Sequence, residues 1–362
     1  MPVSSGGSIA AAVLRLHAKG DLRLESEMSP QPGPGQLRLS MERGGICGSD
    51  LHYYAEGGVG KIRVRAPIIL GHEAAGRVES VGPDVAGFEP GMLVAVNPSR
   101  PCGHCRFCLS GRERHCSDMH FMGSAMFLPH EQGLYRTMLT VEARQCFLLP
   151  DGIGADEAAC AEPLAVSLHA VSRVAGGLTG QRVLVTGAGP IGCLTIAAAR
   201  AADAAHIVAS DLNAKPLKIA RRMGANVTVD LRERPDGVLE EGPYDVAFEC
   251  SAAPQAAASA VEALEPGGVL VQVGVAGVAE LPMGRMVARE IAYLGSHRFD
   301  REFAEAVTAI GTRRIDVRPI ISGTYPMAHA DEAFKAALDK SRSCKVQVAL
   351  DTLDTPIERG EN

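Results

Sequence analysis

The sequence predicts an α/β protein made of a β-rich region and a doubly wound parallel sheet, and three observations carry that expectation. Before residue 100, short apolar runs are separated by Gly and Pro clusters, the pattern of short strands joined by tight turns. Near residue 182 an apolar run leads directly into a glycine-rich turn and then an alanine-rich helical stretch. From there to Leu294, further apolar runs alternate with helical patterns, which is the rhythm of a parallel sheet.

A chain of 362 residues has room for two domains. Its 46% hydrophobic and 22% charged residues suit buried cores of ordinary size. A formal charge of -6 offers no basic face to nucleic acid. No apolar run approaches the roughly 18 to 20 residues of a membrane span, and Met1 to Ala12 lacks the basic start of a secretory signal. Ten cysteines are present, four of them between residues 102 and 116 and the rest scattered singly. That is no disulfide framework, and a reducing cytosol is the expected home.

In chain order, Ala11–Leu16, Gln36–Met41, Gly76–Val81 and Met92–Val96 read as strands. Cys47 follows the second of these, where a short helix would begin with Ser49 and Asp50 placed to cap it. His72 and Glu73 follow the run Pro67–Leu70. Thiol, imidazole and carboxylate all bind zinc, and three protein ligands leave a tetrahedral position open, as catalytic sites do. The alternative is a buried cysteine beside an unrelated His-Glu pair.

Cys102, Cys105, Cys108 and Cys116 are spaced C-x2-C-x2-C-x7-C. Four thiolates so close together make a closed, structural zinc cage, whereas unligated they would be a reactive liability. An iron–sulfur cluster would want a following Pro and a companion motif, both missing here. His104 and His115, inside the loop, read as spectators.

Residues 155 to 175 form an alanine-rich helical pattern carrying Glu162. Arg182–Thr186 then leads into Gly187-Ala188-Gly189-Pro190-Ile191-Gly192 and a helix ending near Asp203. The next strand, Ile207–Ser210, ends at Asp211, 19 residues after Gly192. Strand before, helix after and acid beyond are the setting in which G-x-G-x-x-G holds a dinucleotide pyrophosphate at a helix N-terminus. A carboxylate at Asp211 suits a ribose hydroxyl and repels a 2′-phosphate, so NAD is expected over NADP. Val227–Val229, Asp245–Glu249, Val269–Val273 and Ile291–Leu294 complete six strands, with helices at Lys215–Met223 and Gln255–Leu264.

Taken together, Cys47 to His52, Gly71-His72-Glu73, the four-cysteine loop, Glu162 and Gly187–Gly192 with Asp211 resemble the zinc-dependent medium-chain alcohol and polyol dehydrogenases. Gly44–Tyr54, Asn97–Cys105 and Gly123–Met126 resemble, within that family, members that oxidise sugar acids. The resemblance implies a GroES-like catalytic domain at 1–155, with its structural zinc loop at 100–118. It implies a Rossmann domain at 156–296, a return to the catalytic domain at 297–362, an active site in the cleft between them, and a homodimer or homotetramer. It also implies a catalytic zinc on Cys47, His72 and Glu73, with Glu162 either a fourth ligand or the partner of the zinc-bound water. Cys160, close by, reads as buried and inert.

Two zinc ions and NAD are the implied cofactors, and hydride transfer from a secondary alcohol of a sugar acid or polyol the implied reaction. Ser49 and His52 match the family's proton relay, although a cap and a solvated surface histidine would explain them as well. Asp50 is expected to orient His72. Arg298 matches a substrate-facing arginine, which serves acid and neutral substrates alike. Tyr53 and Phe121 are candidate pocket walls or ordinary packing, and His120 and His297 are further cationic candidates. A non-catalytic NAD-binding or zinc-ribbon protein is the other class, but it would have no use for an open site with a proton path.

Overall fold

One antiparallel and one parallel sheet account for most of the strands in residues 7–275 and 277–351, which the computed structural model describes. Residues 1–6, within the stretch expected to lack a secretory signal, and 352–362, the expected end of the catalytic domain, lie outside the described residues.

The first compact unit takes the chain up to Glu162, then Ile321–Leu338 and the chain from Val346. Its seven-stranded sheet runs Cys146–Leu148, Leu93–Val96, Glu73–Val81, Gln36–Gly45, Lys345–Ala349 and Ile321–Pro326, with Met138–Glu142 also pairing to Gln36–Gly45. Leu37, Leu39, Met41, Val78, Val94 and Val96 fill its core. Two expected strands are longer than their apolar runs: Gln36–Met41 continues to Gly45, and Gly76–Val81 starts at Glu73. Backbone pairing continues past those runs, and the last register pair is Gly45 with Glu73. That pair sets the site described below. Asp21–Ser29, paired with Ile9–Ala18, was not legible from sequence; its Leu24 and Met28 face solvent, so no apolar face marks it.

The second unit takes Pro163–Ile320 and Asp339–Lys345. Six parallel strands run in the order Val227–Asp230, His206–Asp211, Arg182–Thr186, Tyr244–Glu249, Leu264–Gln272, Ala292–Gly295. In local chain order that is 3-2-1-4-5-6, the doubly wound arrangement predicted. Helices Pro190–Ala201, Ala214–Arg222 and Pro254–Ala263 connect them. The single helical pattern expected over 155–175 is two helices, Ala155–Ala158 and Ala161–Ser172. Pro163 has no N–H to offer the carbonyl of Ala159, so one helix cannot run through.

Domain edges also differ from those expected at 155/156 and 296/297. The units divide after Glu162 and after Ile320, and 297–320 belongs with the parallel sheet. Helix Glu302–Gly311 buries Phe303, Ala306 and Ile310, and its Glu302 pairs with His169 at 2.9 Å, both within the second unit. Sequence reading had no view of that long-range pair. No helix among the described residues is long and apolar enough to cross a membrane.

Candidate active site

The register pair Gly45–Glu73 brings the two donor-bearing segments together. Cys47 lies two residues beyond one strand end and N-caps helix Gly48–Glu56; His72 lies one residue before the other strand. The donor atoms of Cys47, His72 and Glu73 fall within 4.8 Å of one another. A Cβ on Gly45 would stand 2.2 Å from Glu73 Oε2, so a larger residue there would push that carboxylate aside. The cap is Asp50 rather than Ser49: Cys47 N–H donates to Asp50 Oδ2 at 3.0 Å. Asp50 is fully buried, accepts Gly71 N–H at 3.2 Å through Oδ1, and places that oxygen 3.7 Å from His72 Nδ1. That is the range of a charge attraction on the ring rather than of a hydrogen bond.

Tyr135 was missed from sequence. Its hydroxyl donates to Gly45 O at 2.7 Å and meets Asp50 Oδ2 at 3.0 Å. Its ring occupies the space a side chain would need at Gly44 or Gly71, where a Cβ would come within 2.8 and 2.4 Å of it. One buried ring thus wedges both donor segments. No spacing rule reveals this, because Tyr135 carries no metal donor and stands 63 residues after His72 in the chain.

Burial alone would lower the proton affinity of His72, yet Asp50, Cys47 and Glu162 together raise it well above the ordinary histidine value. An anionic, buried field of that kind is one a divalent cation satisfies, and the soft-plus-borderline donor set fits zinc. Glu162 is buried and acts on His72 from beyond the 4.8 Å set. Cys160 is buried, its thiol facing Asp156 O at 3.5 Å, in keeping with an inert role.

Ser49 and His52 sit one turn apart on helix Gly48–Glu56, on one face. Ser49 is half-buried; His52 is exposed and its Nδ1 pairs with Glu56 at 3.0 Å. Tyr53 is core packing, its hydroxyl accepting Ala125 N–H at 3.2 Å. Phe121 packs on the His72 ring, centroids 5.6 Å apart, and on the cysteine cluster with Met119. His120 is held by Glu131 and Asp118.

Cys102, Cys105, Cys108 and Cys116 form the second donor set, all within 4.8 Å. Zinc–sulfur bonds of about 2.3 Å give tetrahedral sulfur–sulfur edges of about 3.8 Å. Cys105 Sγ lies 3.5 Å from Cys108 Sγ and 3.9 Å from Cys116 Sγ. Backbone N–H groups of Cys108 and Ser117 hold the Cys105 thiol down to about 5, while burial and Cys105 push Cys108 up to about 12. A metal relieves that conflict by taking all four as thiolates. His104 and His115 are exposed, as spectators would be.

In the second unit the glycine turn is built as predicted. Gly189 caps helix Pro190–Ala201, with Pro190 at its first position. A Cβ on Gly192 would stand 1.7 Å from Gly187 O, so helix and strand pack through bare backbone; a Cβ on Gly189 would meet nothing within 4 Å. Gly189 is therefore spared a side chain for a reason outside the protein's own packing, and a pyrophosphate fits that gap. Ile191 O accepts Ser167 Oγ at 3.3 Å, tying the turn to the neighbouring helix. Asp211 accepts Ala188 N–H at 2.8 Å and Asn213 N–H at 2.9 Å, one on each oxygen. Arg298 is half-buried and has φ +52°, while His297 is exposed.

Comparison with known proteins agrees with this geometry. Residues 33–151 match the model for the alcohol dehydrogenase GroES-like domain, and residues 190–312 that for zinc-binding dehydrogenase. L-idonate 5-dehydrogenase (NAD(P)(+)) of Escherichia coli is 42% identical over 315 residues, 86% of this chain and 91% of that protein. Human sorbitol dehydrogenase is 35% identical over 350 residues, 94% of this chain and 96% of that one. The crystal structure of the E. coli L-idonate 5-dehydrogenase superposes with a TM-score of 0.89 at 38% identity, covering 94% of this chain and 99% of that one. A putative zinc-binding dehydrogenase from Sinorhizobium meliloti bound to NADP gives 0.84 at 28% identity, with coverage of 94% and 99%.

Proposed function

Since the chain belongs to the zinc-binding alcohol dehydrogenases with a GroES-like domain, we propose that it oxidises L-idonate at C5 to 5-keto-D-gluconate with NAD. The observation that carries this is the incomplete donor set of Cys47, His72 and Glu73, in a chain 42% identical to an L-idonate 5-dehydrogenase. Zinc, when bound, supplies a Lewis acid that makes a hydroxyl acidic, and NAD supplies the hydride acceptor.

The chain's own residues do the remainder. Cys47, His72 and Glu73 hold the ion, Asp50, itself held by Tyr135, faces the His72 ring, and Glu162 serves as fourth ligand or partner of a water. Ser49 Oγ takes the hydroxyl proton and His52 passes it to solvent. Gly187, Gly189, Pro190, Ile191 and Gly192 cradle the pyrophosphate, and Asp211 takes the ribose hydroxyls. Arg298 pairs with the substrate carboxylate. Cys102, Cys105, Cys108 and Cys116 hold a second, structural zinc, and the protein works as a homodimer or homotetramer.

A neutral polyol as substrate is the second reading, favoured by the 35% identity to sorbitol dehydrogenase over nearly the whole chain. One panel separates the two: NADH and NADPH formation with L-idonate, sorbitol, xylitol and L-threonine. A charged hydrogen bond to the carboxylate contributes about 1.5–3 kcal/mol, so kcat/KM for L-idonate is expected to exceed that for sorbitol by about 10- to 100-fold. Preference for sorbitol or xylitol would transfer the assignment to the polyol reading. Equal rates with NADP would remove Asp211 as a discriminator.

A further inference from the structure

The second unit contains a buried histidine–carboxylate hydrogen bond that the proposed reaction does not use. His169, on helix Ala161–Ser172, places Nδ1 2.9 Å from Glu302 Oε1, and both residues are buried. Ser172 Oγ donates to the same oxygen at 3.2 Å, and the other, Oε2, accepts Asp300 N–H at 2.8 Å. Just past the end of that helix, Arg173 Nε donates to Gly295 O at 3.1 Å. The helix and the residue that follows it thus reach both ends of the segment from Gly295 to Glu302. Within that segment Phe299 is buried against Phe303, with ring centroids 5.5 Å apart, and Arg298 has φ +52°.

A long side chain at positive φ costs about 1 kcal/mol or more and persists only where its surroundings over-determine it. The two grips and the Phe299 anchor do that here. A buried side-chain hydrogen bond adds only about 0.5–1.5 kcal/mol net to stability. Burial would raise the Glu302 carboxyl, yet His169 and the Asp300 N–H outweigh it and bring it to about 2, so the charge is kept.

We infer that His169, Glu302 and Arg173 are positioning residues that lock the 295–300 turn in the strained form presenting Arg298, and so set affinity for acidic substrates. This rests on the reading that Arg298 receives the substrate carboxylate.

The test is a double-mutant cycle on the zinc- and NAD-loaded protein, measuring kcat and KM for L-idonate and sorbitol. His169→Leu is expected to raise KM for L-idonate about tenfold, with kcat changed less than about twofold, because the interaction lost is equal in ground and transition states. His169→Asn, which keeps an N–H where Nδ1 stands, is expected to restore KM. Arg298→Ala is expected to raise KM by itself and to make His169→Leu nearly silent. Should His169→Leu fold poorly, Arg173→Gln removes the other grip without creating a buried vacancy, and the same silence behind Arg298→Ala is expected. Additive effects, or a lowered melting temperature with KM unmoved, would reduce the clamp to a structural tie and overturn it while the Arg298 reading survives. An Arg298→Ala protein with unchanged KM would overturn both.

Discussion

Glu73→Gln or His72→Ala is expected to lower kcat for alcohol oxidation by on the order of 10³-fold or more, with thermal stability nearly unchanged in Glu73→Gln. Lewis-acid stabilisation of developing charge contributes several kcal/mol, and each 1.36 kcal/mol is a factor of ten. The three donors do not contribute alike. Cys47 caps a helix and Glu73 opens a strand beside Gly45, so removal of either side chain leaves backbone pairing in place. His72 faces Asp50, itself tied to Gly71 and Tyr135, and its loss leaves a buried carboxylate facing an empty space. His72→Ala is therefore expected to be the less stable of the two variants. Steady-state NADH formation and thermal unfolding measure both points. Full turnover in Glu73→Gln would remove that carboxylate from the mechanism.

Cys105→Ser is expected to have the largest effect on stability. A structural zinc supplies folding free energy directly, and loss of one thiolate from the cage is expected to cost about 3–5 kcal/mol, roughly 10 °C in melting temperature. Activity should fall as well, because Phe121 packs on the cage cysteines and on the His72 ring. Thermal unfolding together with limited proteolysis reads the effect, with new cleavage expected between residues 100 and 118. An unchanged melting temperature would mean that the loop is ordered without metal.

What sequence revealed was whatever depends on short spacing. The cysteine cage, the His72-Glu73 pair and the glycine turn with Asp211 are compact in the chain, and the structure brings each together. Arg182–Thr186, His206–Asp211 and Tyr244–Glu249 were legible because buried strands show as apolar runs. Strand ends built from glycine were not, and Gly44 and Gly45 prolong a ladder that hydropathy cannot see. Tyr135 was illegible for a related reason: its role is a matter of shape, fitted against two glycines distant in sequence. The cap on Cys47 went to Asp50 rather than Ser49, since the reach to the third helical residue was the shorter route to the free N–H. The grouping of 297–320 with the parallel sheet includes a His169–Glu302 contact across 133 residues, which no local pattern encodes.

Zinc counted per chain by elemental analysis bears most directly on an open cation site working beside a closed one. Two ions in the native protein, one after His72→Ala and one after Cys105→Ser, is the expected result. A single ion in the native protein that survives His72→Ala would leave the four-cysteine cage alone occupied, and the oxidation proposed for Cys47, His72 and Glu73 would have no site.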